Sequence, residues 1–187
     1  MMASTLFACA SGGQAREGHI ADAALFMATM VGDEEGAREA LAQGANPNYV
    51  NENGITPLLV CCGGVGPASL VAALLRAGAR HDLCDPTGWS PLIFVASSGQ
   101  IPLLEHLLAA GADVNHRAKD KGWSPLTRAA FRGQSAVVQV LLARGADSGS
   151  RTSSGATALD LAKLQGHLEV VALLSQLPEL AAGEAEA

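Results

Sequence analysis

The chain has 187 residues, a formal net charge of −6, 49% apolar residues and only 4% aromatic ones. That length suits one domain with a sizeable core, and the acidic balance makes nucleic acid an unlikely partner, because such binders need basic surface to displace counterions. No apolar run approaches the roughly 20 residues that span a bilayer, so no membrane partner is expected.

Residues 1–18 read as a mobile N-terminal segment. Their start, "MMASTLFACA", has small residues around Cys9 but no positively charged stretch before its short apolar run, which argues against a secretion signal. Four cysteines (Cys9, Cys61, Cys62 and Cys84) include an adjacent pair and show no zinc-ligand spacing. A reduced intracellular protein, cytoplasmic or nuclear, without metal or other cofactor is the expectation.

From residue 19 onward a frame recurs. "G-x-[ST]-P-L" occurs as Gly54–Leu58, Gly88–Leu92 and Gly122–Leu126, with a weaker copy at Gly155–Leu159 and an eroded one at Ala23–Leu25. A second marker, Gly-Ala after a Leu-rich stretch, falls at Gly44, Gly78, Gly111 and Gly145, also 33 or 34 residues apart. Two markers on one period predict five units, near 19–52, 53–86, 87–120, 121–153 and 154–178. Ser or Thr should cap a short helix in units two to five, with Pro at its first position in units two to four; the first unit has lost its Thr-Pro and the fifth its terminal Gly-Ala. A second helix carries an apolar stripe, as in Leu103/Leu104 with Leu107/Leu108 and Val137/Val138 with Leu141/Leu142. A glycine then ends that helix. Pro178 should stop the last one, and the acidic residues 179–187 read as a tail.

Two units depart from the common length. The second has one extra residue between its helices, within "CCGGVGPAS". The turn before the fourth, "NHRAKDKG", is one residue longer than its counterparts. "GGVG" is not a phosphate loop, because no Lys-Ser/Thr follows it. Cys61 and Cys62 read as small buried residues, since no histidine is placed by motif to activate them. His81 and Cys84 lack the further ligands that a metal would need. No catalytic constellation is present, and the chain is expected not to be an enzyme.

The phrases "NGITPLL", "GWSPLIFVA", "GWSPLTRAA" and "GATALDLA", with the endings "LLRAGA", "LLAAGADVN" and "LLARGAD", resemble the ankyrin repeat family over residues 19–177. The resemblance implies an all-α solenoid of stacked helix-turn-helix units with hairpin-like turns. The turn tips and first helices would form a concave face where a partner protein binds. One departure is consistent: the family's histidine after Pro-Leu is replaced by Phe26, Leu59, Ile93, Thr127 and Asp160. His167, after Gly166, matches a structural Gly-His of the family. The resemblance also implies that Asn115, and less closely Asn48, could be hydroxylated; the plainer role for such an asparagine is to fix the turn by side-chain bonds.

In register, the residue before each cap is Ile55, Trp89, Trp123 or Ala156, and four residues after the cap stand Val60, Phe94, Arg128 and Leu161. Trp89, Phe94, Trp123 and Phe131 therefore gather on units three and four, with Arg128 and Arg132 beside them. Aromatics and arginines are the usual interface anchors, although each Phe could instead be packed between units. Arg117, Lys119 and Lys121 in the long turn add a basic edge, which an acidic peptide or tail would complement. The expected function is a monomeric, non-catalytic adaptor or scaffold binding a protein or peptide. The alternative is a regulatory inhibitor or assembly chaperone of the gankyrin type, for which "GWSPL" is one short similarity.

Overall fold

The structure, a computed structural model, describes residues 19–176; the expectations for residues 1–18, Pro178 and the acidic tail lie outside that range. Among the described residues there are ten α-helices and no strand, so the fold is all-α. The helices pair in chain order. They are α1 over 19–31 with α2 (Glu34–Ala42), α3 (Pro57–Val60) with α4 (Ala68–Arg76), α5 (Pro91–Ser98) with α6 (Ile101–Ala109), α7 (Pro125–Phe131) with α8 (Ser135–Ala143), and α9 (Ala158–Gln165) with α10 (Leu168–Ser175).

The chain divides into two compact units. The first holds the described residues up to Cys61 together with Val65–Arg80, and so contains α1 to α4. Its core is built from Leu25, Leu58, Leu70, Val71 and Leu74, each at most 1% exposed. Asn46 N–H donates to Asp22 Oδ1 at 2.6 Å, and Asn48 bridges forward to Gly78 and Arg80.

The extra residue of the second repeat is absorbed as a π turn. Helix α3 runs into Cys61–Val65 with i→i+5 geometry, and Gly64 takes φ of 142°, which favours glycine. Gly66 then lies hard against Cys61: a Cβ there would fall 2.5 Å from the Cys61 Cβ.

The second unit holds Cys62–Gly64 and the described residues from His81 onward, and so contains α5 to α10. Its first helices α5, α7 and α9 pack side by side, and α8 packs against both α6 and α10. The apolar pairs of the second helices supply the core: Leu103, Leu104, Leu107, Val137, Val138, Leu141, Val170 and Leu174 are all buried. The outer members of the stripes, Leu108, Leu142, Val171 and Leu173, are half-buried. Helices α6 and α8 end as their glycines predict, whereas α10 ends at Ser175 with Gln176 as its C-cap. After α6, for example, Gly111 has φ of 90° and the Ala112 N–H returns to the Leu107 carbonyl.

The caps are less uniform than the frame suggests. Thr56, Ser124 and Thr157 accept from the third residue of their helices, and Ser124 and Thr157 form full capping boxes with Thr127 and Asp160. Ser90 does not cap α5 through its side chain, which corrects the expectation for the third unit. The buried Ser90 Oγ makes no hydrogen bond within the protein; Ser90 and His81 instead line a cavity of about 90 Å³.

Candidate functional site

The turns that precede α5, α7 and α9 share one closure. The first residue's N–H donates to the carbonyl of the residue just before the cap, from Asp85 to Trp89, Ala118 to Trp123 and Thr152 to Ala156. The extra residue of the fourth repeat falls inside this turn, because Ala118 and Trp123 are five positions apart and the other pairs four. The widened turn leans on its neighbour: Lys119 N–H and Asp120 N–H both donate to the Thr87 carbonyl. Gly88 is needed at this approach, since a Cβ there would lie 2.5 Å from the Lys119 nitrogen.

These turns present the two indoles. Asp85 Oδ1 accepts from the Trp89 N–H at 2.8 Å and from the Thr87 N–H, so the loop holds Trp89 by its backbone. Trp89 packs on Phe94 of α5, with ring centroids 5.1 Å apart, and Trp123 on Phe131 of α7 at 5.3 Å. All four rings are half-buried, neither sealed in the core nor standing free.

Arg128 lies between the two pairs. Its Cζ is 4.8 Å from the Trp89 ring, 5.4 Å from Trp123 and 5.4 Å from Phe131. A guanidinium over aromatic faces is attracted by the ring quadrupoles. Its Nε donates to Ser97 Oγ of α5 at 3.1 Å. Partial burial, and next the like charge of Arg132, pull the Arg128 guanidinium below its ordinary value. An arginine remains charged at neutral pH regardless.

The other basic residues are placed differently. Arg132 is the exposed C-cap of α7. Lys119 packs its stem over Gly88. Arg117 donates to the Arg151 carbonyl, so its guanidinium ties two turns together. Lys121 is exposed and lines, with Trp123, Thr152, Ser153, Ser154 and Leu161, a recess of about 340 Å³.

Asn115 has both ends of its amide engaged: Nδ2 donates to the Gly145 carbonyl at 3.2 Å and Oδ1 accepts from Asp147 N–H at 2.8 Å. Asn48 makes the same pair of bonds to Gly78 and Arg80 in the first unit. Both asparagines therefore join consecutive repeats.

Burial dominates the surroundings of Cys61 and Cys84. Cys61 and Cys62 are buried, and burial pushes the Cys61 thiol up to about 12. Cys84 Sγ lies 3.5 Å from His116 Nε2, a contact between residues 32 apart that sequence reasoning missed. That nitrogen also lies 2.9 Å from the Gly88 carbonyl, which can only accept, so it carries a proton and is no base for the thiol. Burial, then Asp85, raises the Cys84 thiol further from ionisation. His167 Nε2 pairs with the Phe131 carbonyl at 3.1 Å, a structural contact between the fourth and fifth repeats. Among the described residues no cluster of three or more His, Cys, Asp or Glu could hold a metal ion, and no helix is long and apolar enough to cross a membrane.

Paired helices, glycine stops and stacked turns on a period near 33 define a helix-turn-helix repeat protein. The model of the family of ankyrin repeats, three copies long, matches residues 25–118, 65–152 and 116–181, and the chain belongs to that family. Ankyrin repeats generally mediate protein–protein interaction. Over 93 residues the chain is 39% identical to the ankyrin repeat and SAM domain-containing protein 6 of Mus musculus, which covers 50% of this chain. The match spans 10% of that relative's length.

Proposed function

We propose that this chain is a non-catalytic interaction module that binds a partner protein or peptide on the face made by the turns and first helices of repeats three and four, the inner face of the stack. The observation that carries this reading is the cluster of Trp89, Phe94, Trp123 and Phe131 around Arg128, rings half-open to solvent and fixed by their turns. Large aromatic and arginine side chains held in one conformation are the residues that dominate binding energies. Because each repeat is supported by its neighbours, the face is formed before a partner arrives, and little ordering cost is added on binding. Trp123→Ala should weaken binding by about 2 kcal/mol while leaving helicity intact. The test is to purify partners with the wild-type chain and with the Trp89→Ala/Trp123→Ala variant, and then to titrate a recovered partner by calorimetry. A partner that binds wild type and variant equally would refute the assignment.

A further inference from the structure

Arg128 is an unusual surface arginine. It is half-buried against three rings and, among the described residues, keeps one side-chain hydrogen bond, from Nε to Ser97 Oγ. No carboxylate among the described residues pairs with it, unlike Arg38, which pairs with Glu35. Arg132, the C-cap of the same helix, and Lys121, on the turn before it, form no ion pair among the described residues, although the Lys121 backbone N–H donates to Asp120 Oδ1. A cation that is partly stripped of water, held rigid and flanked by like charge is destabilised until an anion arrives. With Nε committed to Ser97, the two terminal amino groups remain, and that edge fits the two oxygens of a planar carboxylate. Beside it, across Trp123, is the recess of about 340 Å³ floored by Leu161 and edged by Lys121 and the Ser153 and Ser154 hydroxyls. That volume takes one apolar side chain of ordinary size.

We propose that the clamp of Trp89, Arg128 and Trp123 is a carboxylate receptor, and that its ligand is an acidic peptide segment. One Glu or Asp side chain meets Arg128, an adjacent apolar side chain seats between Trp123 and Leu161, and further acidic residues lie along Arg132 and Lys121. This rests on the reading of the same face as the partner-binding face. It adds the partner's chemistry, and the local positive charge of Arg128, Arg132 and Lys121, on a chain that is otherwise acidic with a net charge of −6, supports it.

The test is a display selection of random peptides against the full chain, followed by calorimetric titration of the enriched synthetic peptides. Enriched peptides should carry Asp or Glu next to Leu, Ile, Phe or Met. Replacing that acid with Gln or Asn in the peptide should weaken binding at least tenfold without touching the protein's fold. Arg128→Gln should do the same, with its circular dichroism unchanged. Replacing the neighbouring apolar residue with Ala should lower affinity several-fold. Peptides that need Trp89 and Trp123 but tolerate loss of their acid would overturn the carboxylate receptor and leave the face itself standing. Peptides indifferent to Trp89→Ala/Trp123→Ala, or no enrichment at all, would overturn both. A phosphoserine in place of the acid that binds more than tenfold tighter would make the site a phosphate receptor and overturn the proposal.

Discussion

Ser90, Ser124 and Thr157 occupy the same register position, yet only the last two hold their helices through side-chain capping bonds. Ser124→Ala should therefore destabilise the protein by about 1 kcal/mol in chemical denaturation, whereas Ser90→Ala should leave the midpoint nearly unchanged. Equal losses would mean that Ser90 caps after all. The Thr157 box adds a pH dependence. The Thr157 backbone N–H, and also its hydroxyl, hold the Asp160 carboxyl below the ordinary aspartate range against the opposing effect of partial burial. Because the folded value is depressed, this stabilisation is complete above the unfolded value and fades as pH falls through the folded one. Asp160→Asn should thus flatten part of the acid limb of a stability–pH profile; a profile identical to wild type would contradict the box. The hydroxyls were legible as caps from their period alone. The failure of Ser90 was not, because it depends on how its side chain turns beside the small cavity it lines with His81; Thr56 caps with no polar side chain at Leu59 in return.

At the scale of the elements, the two length irregularities were visible in the sequence, but their geometry was not. The extra residue in repeat two becomes a π turn, and its closure brings Gly66 against Cys61. Gly66→Ala should cost about 1–3 kcal/mol through this clash alone. Gly63→Ala, within the same π turn and with open space around its Cβ position, should be neutral or slightly stabilising. Thermal unfolding of the two variants gives the comparison, and equal effects would contradict the close approach. The extra residue before repeat four widens a turn instead, letting two N–H groups reach the Thr87 carbonyl. Length counts alone could not separate these outcomes, because a helix can absorb an insertion by changing its hydrogen-bond step and a turn by widening. The links from Asn48 and Asn115 into the next repeat were only half legible. A turn-fixing role was expected, but the sequence does not say that each amide spans about 30 residues. Asn115→Ala should lower stability by about 1 kcal/mol or slightly more, since two exposed bonds are lost.

For the whole molecule, the repeat period and apolar stripes were enough to give the helix pairs, because stacking repeats must present the same small contacts each time; the family came from the resemblance of phrases such as "GWSPLTRAA". The candidate binding face was legible as a set of residue types, with Trp89, Trp123, Phe94, Phe131 and Arg128 all flagged by register. Their arrangement was not legible: Trp89 and Arg128 stand 39 positions apart, and only stacking of the third and fourth repeats sets that guanidinium over both indoles. Another apolar surface, where Ile20, Met27, Met30 and Val31 are each at least 49% exposed, lies on α1 and has flexible side chains in place of clamped rings. The central claim is that the clamped face binds the partner. Its most direct measurement is a calorimetric titration of a recovered partner against wild type, Trp123→Ala and the α1 variant Met27→Ala, with circular dichroism on each. The account predicts a roughly 30-fold loss for Trp123→Ala, which corresponds to about 2 kcal/mol, and no loss for Met27→Ala. Unchanged affinity for a folded Trp123→Ala protein, or a loss confined to Met27→Ala, would contradict it.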